Sequence, residues 1–278
     1  MRREIFRSVL SVLNCSRHHW VYGMMLAGLL LLNRSLDALP HLDPIEIPPL
    51  TSWTNSLEMS FVVGLKAGVK FACWETRVKD YEAYTKSRFL PKKTAGFAQT
   101  GEHPVVGVSW QEAKEFCQWL TERERRRGVI PRSAFYRLPT DQEWTSFLGI
   151  IEEADGSPRE LDEQHDGVHL WGGQWPPKKG VGNYGPDLGV DSFPETAPVG
   201  SFEPTPVGLY DVGGNVWEWC EDWYDENQVF RVLRGASWRT ETYRNHLATE
   251  RHAHLPDAQV DCYGFRCVLE DLALSEGR

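Results

Sequence analysis

No two cysteines of this chain are separated by two residues, so the knuckles of zinc ribbons and the redox motif of thioredoxin-like proteins are missing. There is no GxSxG elbow and no P-loop, which removes the best-marked signatures of hydrolase nucleophiles and of phosphate binding. Internal repeats and heptads are absent as well. Positive charge is scarce: 30 Lys and Arg stand against 39 Asp and Glu, a net charge of −9. Nucleic acid is excluded as a partner, because phosphate binding needs a basic face. Carboxylate-rich loops suit a hard cation better. The apolar run "VYGMMLAGLLLL" is twelve residues long, short of the roughly 20 that span a bilayer.

What is present is aromatic and irregular. The 278 residues include 12 Trp, 24 Gly and 17 Pro, a composition of ordered but loop-rich chain. At the start, the basic "MRREIFRSVLSVLNCSRHHW", the apolar run and the small residues of "NRSLDALP" follow in the order of a secretory signal, with cleavage near Ala38. Residues 1–39 are therefore read as a signal peptide or N-terminal anchor and 40–54 as a proline-rich linker. The domain itself is expected over 55–270, with a tail at 271–278. Export to the periplasm, the outside or an anchored position is expected, with the anchor as the sole membrane contact. Removal of the leader leaves Cys73, Cys117, Cys220, Cys262 and Cys267, enough for two disulfides and one thiol over.

"MSFVVGL" and "VKFACWET" bracket Gly64 and Gly68 and predict a hairpin. Val78, Tyr81 and Tyr84, three apart, predict a short helix. "HPVVGVSW" reads as a buried strand or extended turn. "SWQE" is a capping box from Ser109 to Glu112, opening a helix with Ala113, Phe116, Cys117 and Leu120 on one face. A second capping box, Thr140 to Glu143, opens another helix. "EEADGSPRELDEQHDG" reads as a solvated loop. From Trp171 to Phe230 no period stands out, and so long an irregular stretch needs something to rigidify it. "RVLRGASW" and "CYGFRCVLE" look like closing strands.

The densest part of that stretch is "GLYDVGGNVWEWCEDWY", glycines, rings and carboxylates together. With "HPVVGVSWQEAKEFCQWL", "YRLPTDQEW", "TAPVGSFEPTPVGLYDVGGNVWEWCEDWY", "RVLRGASW" and "GFRC" in order, the chain resembles the sulfatase-modifying-factor family, founded on the formylglycine-generating enzyme. The resemblance covers roughly residues 55–269. It implies an α+β fold, a loop-rich variant of the C-type-lectin type with little regular secondary structure.

The resemblance also implies two structural calcium ions. One set is Asp211, the carbonyls of Gly214 and Val216, and Glu218. The other is Asn183, the carbonyl of Tyr184, Asp191 and the carbonyl of Phe193. Calcium takes six to eight oxygens of these kinds, and glycine lets backbone turn tightly around the ion. Read without the resemblance, Asp211 and Glu218 are ordinary capping or salt-bridge residues on a turn.

Active members of the family carry two cysteines, four residues apart, that bind copper(I). Those positions fall here on Thr240 and Asn245, which supply no soft ligand. No catalytic residue is assigned, and a copper cofactor is not expected. Cys262 and Cys267 repeat the spacing, but the resemblance pairs Cys267 with Cys117 in a structural disulfide. His246, His252 and His254 lie close in sequence, at a spacing that fits no standard metal site. A pocket is expected at Trp217, Ser237, Tyr243, Arg244, His246, Arg251 and His252, on a 239–263 loop that some family branches use for recognition. The expected function is a calcium-stabilised recognition or accessory module for a protein or carbohydrate ligand, without formylglycine-generating activity. The alternative is an oxidoreductase of the formylglycine-generating type using a non-standard metal site.

Overall fold

Among the described residues nine short strands form two sheets, held together largely by pairing between strands distant in the chain. The computed structural model describes residues 53–64, 66–148, 155–163, 167–173 and 175–275. The expected leader at 1–39, most of the 40–54 linker and the last three residues of the tail lie outside them. Among the described residues no helix is long and apolar enough to cross a membrane.

The first sheet holds β1 (Trp53–Thr54), β2 (Ser60–Val63), β3 (Val69–Ala72), β4 (Ala134–Arg137) and β9 (Val268–Asp271) in the order β1-β2-β3-β9-β4, all antiparallel. The β2–β3 hairpin is the one expected around Gly64 and Gly68. The second sheet holds β5 (Trp217–Trp223), β6 (Arg231–Arg234), β7 (His252–His254) and β8 (Tyr263–Gly264) in the order β7-β6-β5-β8. Only its β5–β8 pair is parallel.

Five helices complete the described fold: α1 (Val78–Arg88), α2 (Trp110–Arg126), α3 (Asp141–Phe147), α4 (Pro158–Asp162) and α5 (Leu272–Ser275). Helix α2 starts where its capping box dictates: Ser109 Oγ accepts the Glu112 N–H at 3.2 Å, and Glu112 accepts the Ser109 N–H at 2.9 Å. Its stripe of Ala113, Phe116, Cys117 and Leu120 is buried together with Trp119. Each of the larger side chains contributes about 1.5–3 kcal/mol by leaving water. Thr140 and Glu143 cap α3 in the same way. The acidic stretch expected to be a plain solvated loop contains α4, with its own capping box from Ser157 to Glu160. The two hydrophobic clusters lie under these elements, one around Phe116, Trp219 and Phe265, the other around Phe71, Trp144 and Phe147.

Cys117 on α2 and Cys267 just before β9 bring their sulfurs to 3.8 Å, unbonded and buried. Burial pushes the Cys117 thiol well above its usual range. In oxidised protein, peptide mapping should find Cys117 joined to Cys267. Cys117→Ser should then cost up to about 4–5 kcal/mol, because the bridge would close a long loop. Cys262→Ser should cost much less. Linkage of Cys117 to any other cysteine would overturn the pairing.

Candidate functional site

Three stretches of irregular chain meet at residues 182–184, 211–216 and 75, and glycine is what lets them approach. A Cβ on Gly214 would lie 2.5 Å from the Asn183 carbonyl oxygen, and one on Gly182 would lie 2.8 Å from the Gly213 oxygen. Asp211, Gly214 and Asn215 all take positive φ, at 53°, 96° and 61°. Side chains tie the crossing together. Asn215 Nδ2 donates to Glu75 at 3.0 Å, Asn183 Nδ2 donates to Asn215 Oδ1 at 3.2 Å, and the Gly200 N–H donates to Asp211 at 2.6 Å.

Charge is concentrated beneath this crossing. Arg266 is fully buried and grips Glu218 with both Nε and Nη2 at 2.6 Å. Trp144 Nε1 adds a donor to the same carboxylate at 3.3 Å. Asp211 and Glu75 lie in the same field with no further cation among the groups that perturb them. Burial pushes the Asp211 carboxyl up to about 6, with Glu218 adding to the rise and the Gly200 N–H and Arg266 opposing it. Burial, then Asp211 and Glu218, push Glu75 well above the carboxylate range.

The two expected calcium sets differ in their donors. In the Asn183 set, Asn183 Oδ1 is buried with no hydrogen-bond partner, a spare hard oxygen of the kind calcium takes. Asp191 accepts the N–H groups of Tyr184 and Phe193 at 3.1 and 2.8 Å, folding those two residues around it. That donor set fits a hard cation. In the Asp211 set, Asp211 Oδ1 is likewise buried and unpartnered, but both Glu218 oxygens are already held by Arg266. Asp211 and the carbonyls fit a cation there; Glu218 is committed to its ion pair. Among the described residues no group of three or more His, Cys, Asp and Glu is arranged to hold a metal, the histidines included.

The 239–263 loop does not line one open pocket. Ser237 and Thr240 close a tight turn on each other, with hydroxyls 3.2 Å apart and the Ser237 N–H donating to Thr240 Oγ1 at 3.0 Å. Asn245 sits in a single 3-10 turn, Arg244–His246. His246 is buried against Tyr184, ring centres 4.8 Å apart, and bonds the Thr242 carbonyl. His252 is packed on Trp217 and bonds the Tyr263 hydroxyl at 2.6 Å; burial pulls its pKa down to about 4. Arg251 is buried and pairs with Asp141. Of the seven residues expected to line the pocket, only Tyr243 and Arg244 are exposed, Arg244 bridging Asp162 and Glu250. Cys262, the cysteine of this loop, is buried, which pushes its thiol up to about 11.

The better-formed cavity lies elsewhere. It has a volume of about 410 Å³ and is walled by Trp171, Tyr184, Phe202, Pro204, Leu209 and Asp211 among others. From its wall, Trp171 and Tyr184 continue into a network of edge-on and tilted ring contacts with Trp175, Tyr243 and His246. Sequence reasoning missed Glu75 and Arg266 here. The available signal was a lone carboxylate in the apolar "VKFACWET" and a lone guanidinium in "GFRC". Trp171 carried no such signal.

One antiparallel and one mixed sheet, few helices and a loop crossing built on glycine and buried carboxylates define the α+β, C-type-lectin-like class of the formylglycine-generating-enzyme type. The family described as "Sulfatase-modifying factor enzyme 1-like domain" matches residues 60–271, and the chain belongs to it. Inactive C-alpha-formylglycine-generating enzyme 2 of Bos taurus is 37% identical over 180 residues, covering 63% of this chain and 52% of that protein. The formylglycine-generating enzyme of Thermomonospora curvata is 31% identical over 194 residues, covering 61% and 56%. The chain thus spans about half the length of these curated relatives. Among solved structures, PvdO from Pseudomonas aeruginosa superposes with a TM-score of 0.59 at 18% identity, over 80% of this chain and 99% of that one. Treponema denticola variable protein 1 gives 0.54 at 20%, with the same coverage. At such identities these two speak for the fold alone.

Proposed function

We propose that this protein is an exported, calcium-stabilised recognition or accessory module that lacks formylglycine-generating activity. One observation carries the reading. Thr240 and Asn245 stand where the family resemblance places the copper thiolates, and Thr240 is used up in a hydroxyl turn with Ser237. A copper(I) site needs soft, accessible ligands. The cysteines of the described residues are instead all buried, and burial raises the thiols of Cys73, Cys117, Cys220 and Cys262. Resemblance to a relative named as inactive points the same way.

The ligand surface in this reading is the exposed Tyr243–Arg244 edge and the aromatic cavity around Trp171. Rings and a rim of polar groups suit a protein loop or a sugar face. The Cys117–Cys267 bridge belongs to the same reading, as a staple for an exported domain.

The test is direct. The full chain is incubated with copper(I), oxygen and cysteine-containing sulfatase peptides, beside an active family member as control. No peptide should show the formylglycine mass change. Conversion by this chain would overturn the reading and make it an oxidase. With no conversion, the double substitution Thr240→Cys, Asn245→Cys should bind copper(I) where the parent does not.

A further inference from the structure

Helix α1 ends in an unusual way. Phe89, the residue after Arg88, adopts a left-handed conformation at φ 56° and ψ 33°. That position strongly favours glycine, because a Cβ is strained there. Phe89 bears the strain and gains no packing for it: the ring is 96% exposed, and Leu90 beside it is 46% exposed. A backbone outlier that also throws a large apolar ring into water is the kind of feature functional sites retain.

The surroundings carry charge of the opposite sign to the rest of the chain. Residues 86–93 read "KSRFLPKK", four cations and no carboxylate, in a protein of net charge −9. Every residue from Lys86 to Lys92 is exposed. Lys86 and Lys92 reach Glu82, and Arg88 reaches Glu122, but these are surface ion pairs of little strength that exchange readily for other anions. The tip is exposed, an apolar pair between cationic flanks. A stable protein interface needs about 800 Å² on each side. One Phe ring offers about 150–250 Å², so the tip suits insertion better than face-to-face docking.

We propose that residues 86–93 are a membrane-contact tip, with Phe89 and Leu90 entering the headgroup boundary of an anionic lipid surface and Lys86, Arg88 and Lys92 binding its phosphates. Apolar side chains flanked by Lys and Arg are what interfacial binding requires. The tip shares no residue with the lining of the aromatic cavity.

Hydrogen exchange on the full chain tests this, because the apolar run at residues 21–32 would add a lipid contact of its own and the readout must be local. Vesicles of phosphatidylcholine with phosphatidylserine should slow exchange across 86–93, and vesicles of phosphatidylcholine alone should not. Phe89→Gly with Leu90→Ser should weaken the effect at least about tenfold, and each cation replaced by serine about fivefold. Phe89→Gly should keep or raise Tm, since glycine relieves the positive φ; a lower Tm would mean that Phe89 packs on something and would count against the proposal. Three results would overturn it: no protection by anionic vesicles, protection at 86–93 before any vesicle is added, or equal protection by polyglutamate that survives Phe89→Gly. The last would make the tip a site for an acidic protein.

Discussion

Arg266→Met is expected to cost about 3–5 kcal/mol, a large share of the stability of an ordinary domain. The magnitude follows from what Arg266 does. It is fully buried, holds Glu218 in a two-bond fork at 2.6 Å, and donates to the Tyr210 carbonyl at 3.0 Å. It also lowers the pKa of Glu75 and of Asp211 from a distance. Its removal strands Glu218 without a countercharge and leaves two more carboxyls in the same field. Urea unfolding followed by tryptophan fluorescence should show the midpoint collapse. Arg266→Met combined with Glu218→Met should recover a large part of the loss, since replacing both partners of a buried pair with apolar side chains is far less costly than breaking it. If the double variant were no better than the single one, the ion pair would not be the source of the effect.

The second large effect is a change of sign in the pH dependence of stability when calcium is added. Without a cation, burial holds Asp211 up to about 6 against an ordinary value of 3.8. Because the folded value is the higher one, the associated stability is fully present below pH 4. It is lost as pH rises through 6, a fall of about 3 kcal/mol for a shift of this size. Glu75, raised by the same burial, acts in the same direction. A calcium ion on Asp211 would favour the ionised carboxylate, so stability should instead climb over that interval. Melting temperatures of chelator-stripped protein at several pH values between 4 and 7, with and without calcium, measure this. Superimposed curves would sink the calcium reading at Asp211. Asp211→Asn should remove the Asp211 share of the fall and the response to calcium, leaving the part due to Glu75. It is a cleaner probe than Glu218→Ala, which would abandon Arg266 whether or not a metal is present.

Local signals in the sequence were read well where local energetics dominate. The capping boxes at Ser109 and Thr140 fixed the starts of α2 and α3, and the glycines fixed the first hairpin. Strand β5 was not legible, because its first four residues are buried on both faces and Trp217–Trp223 shows no alternation. The helix α4 had a visible capping box at Ser157, but its acidic composition suggested solvent. Its Asp162 is in fact buried, accepting the Arg251 N–H and the Tyr224 hydroxyl. At the candidate site, Asp211 and Asn183 could be found in the glycine-rich stretches. Glu75 and Arg266 could not be joined to them, since 136 and 55 residues separate each from Asp211 and only the tertiary fold closes those gaps.

The strand order of the first sheet has a consequence for how the protein is made. Strand β9 lies between β3 and β4, and pairs with both. It is also the last of the described strands to leave the ribosome. Until residues 268–271 emerge, β3 and β4 have no neighbour on their facing edges, and Arg266 has not arrived to neutralise Glu218. About 200 residues of chain must therefore wait after β3 is made, roughly 10–40 s at common rates of synthesis. The first sheet stays divided for that whole interval, with β3 and β4 joined only when β9 arrives.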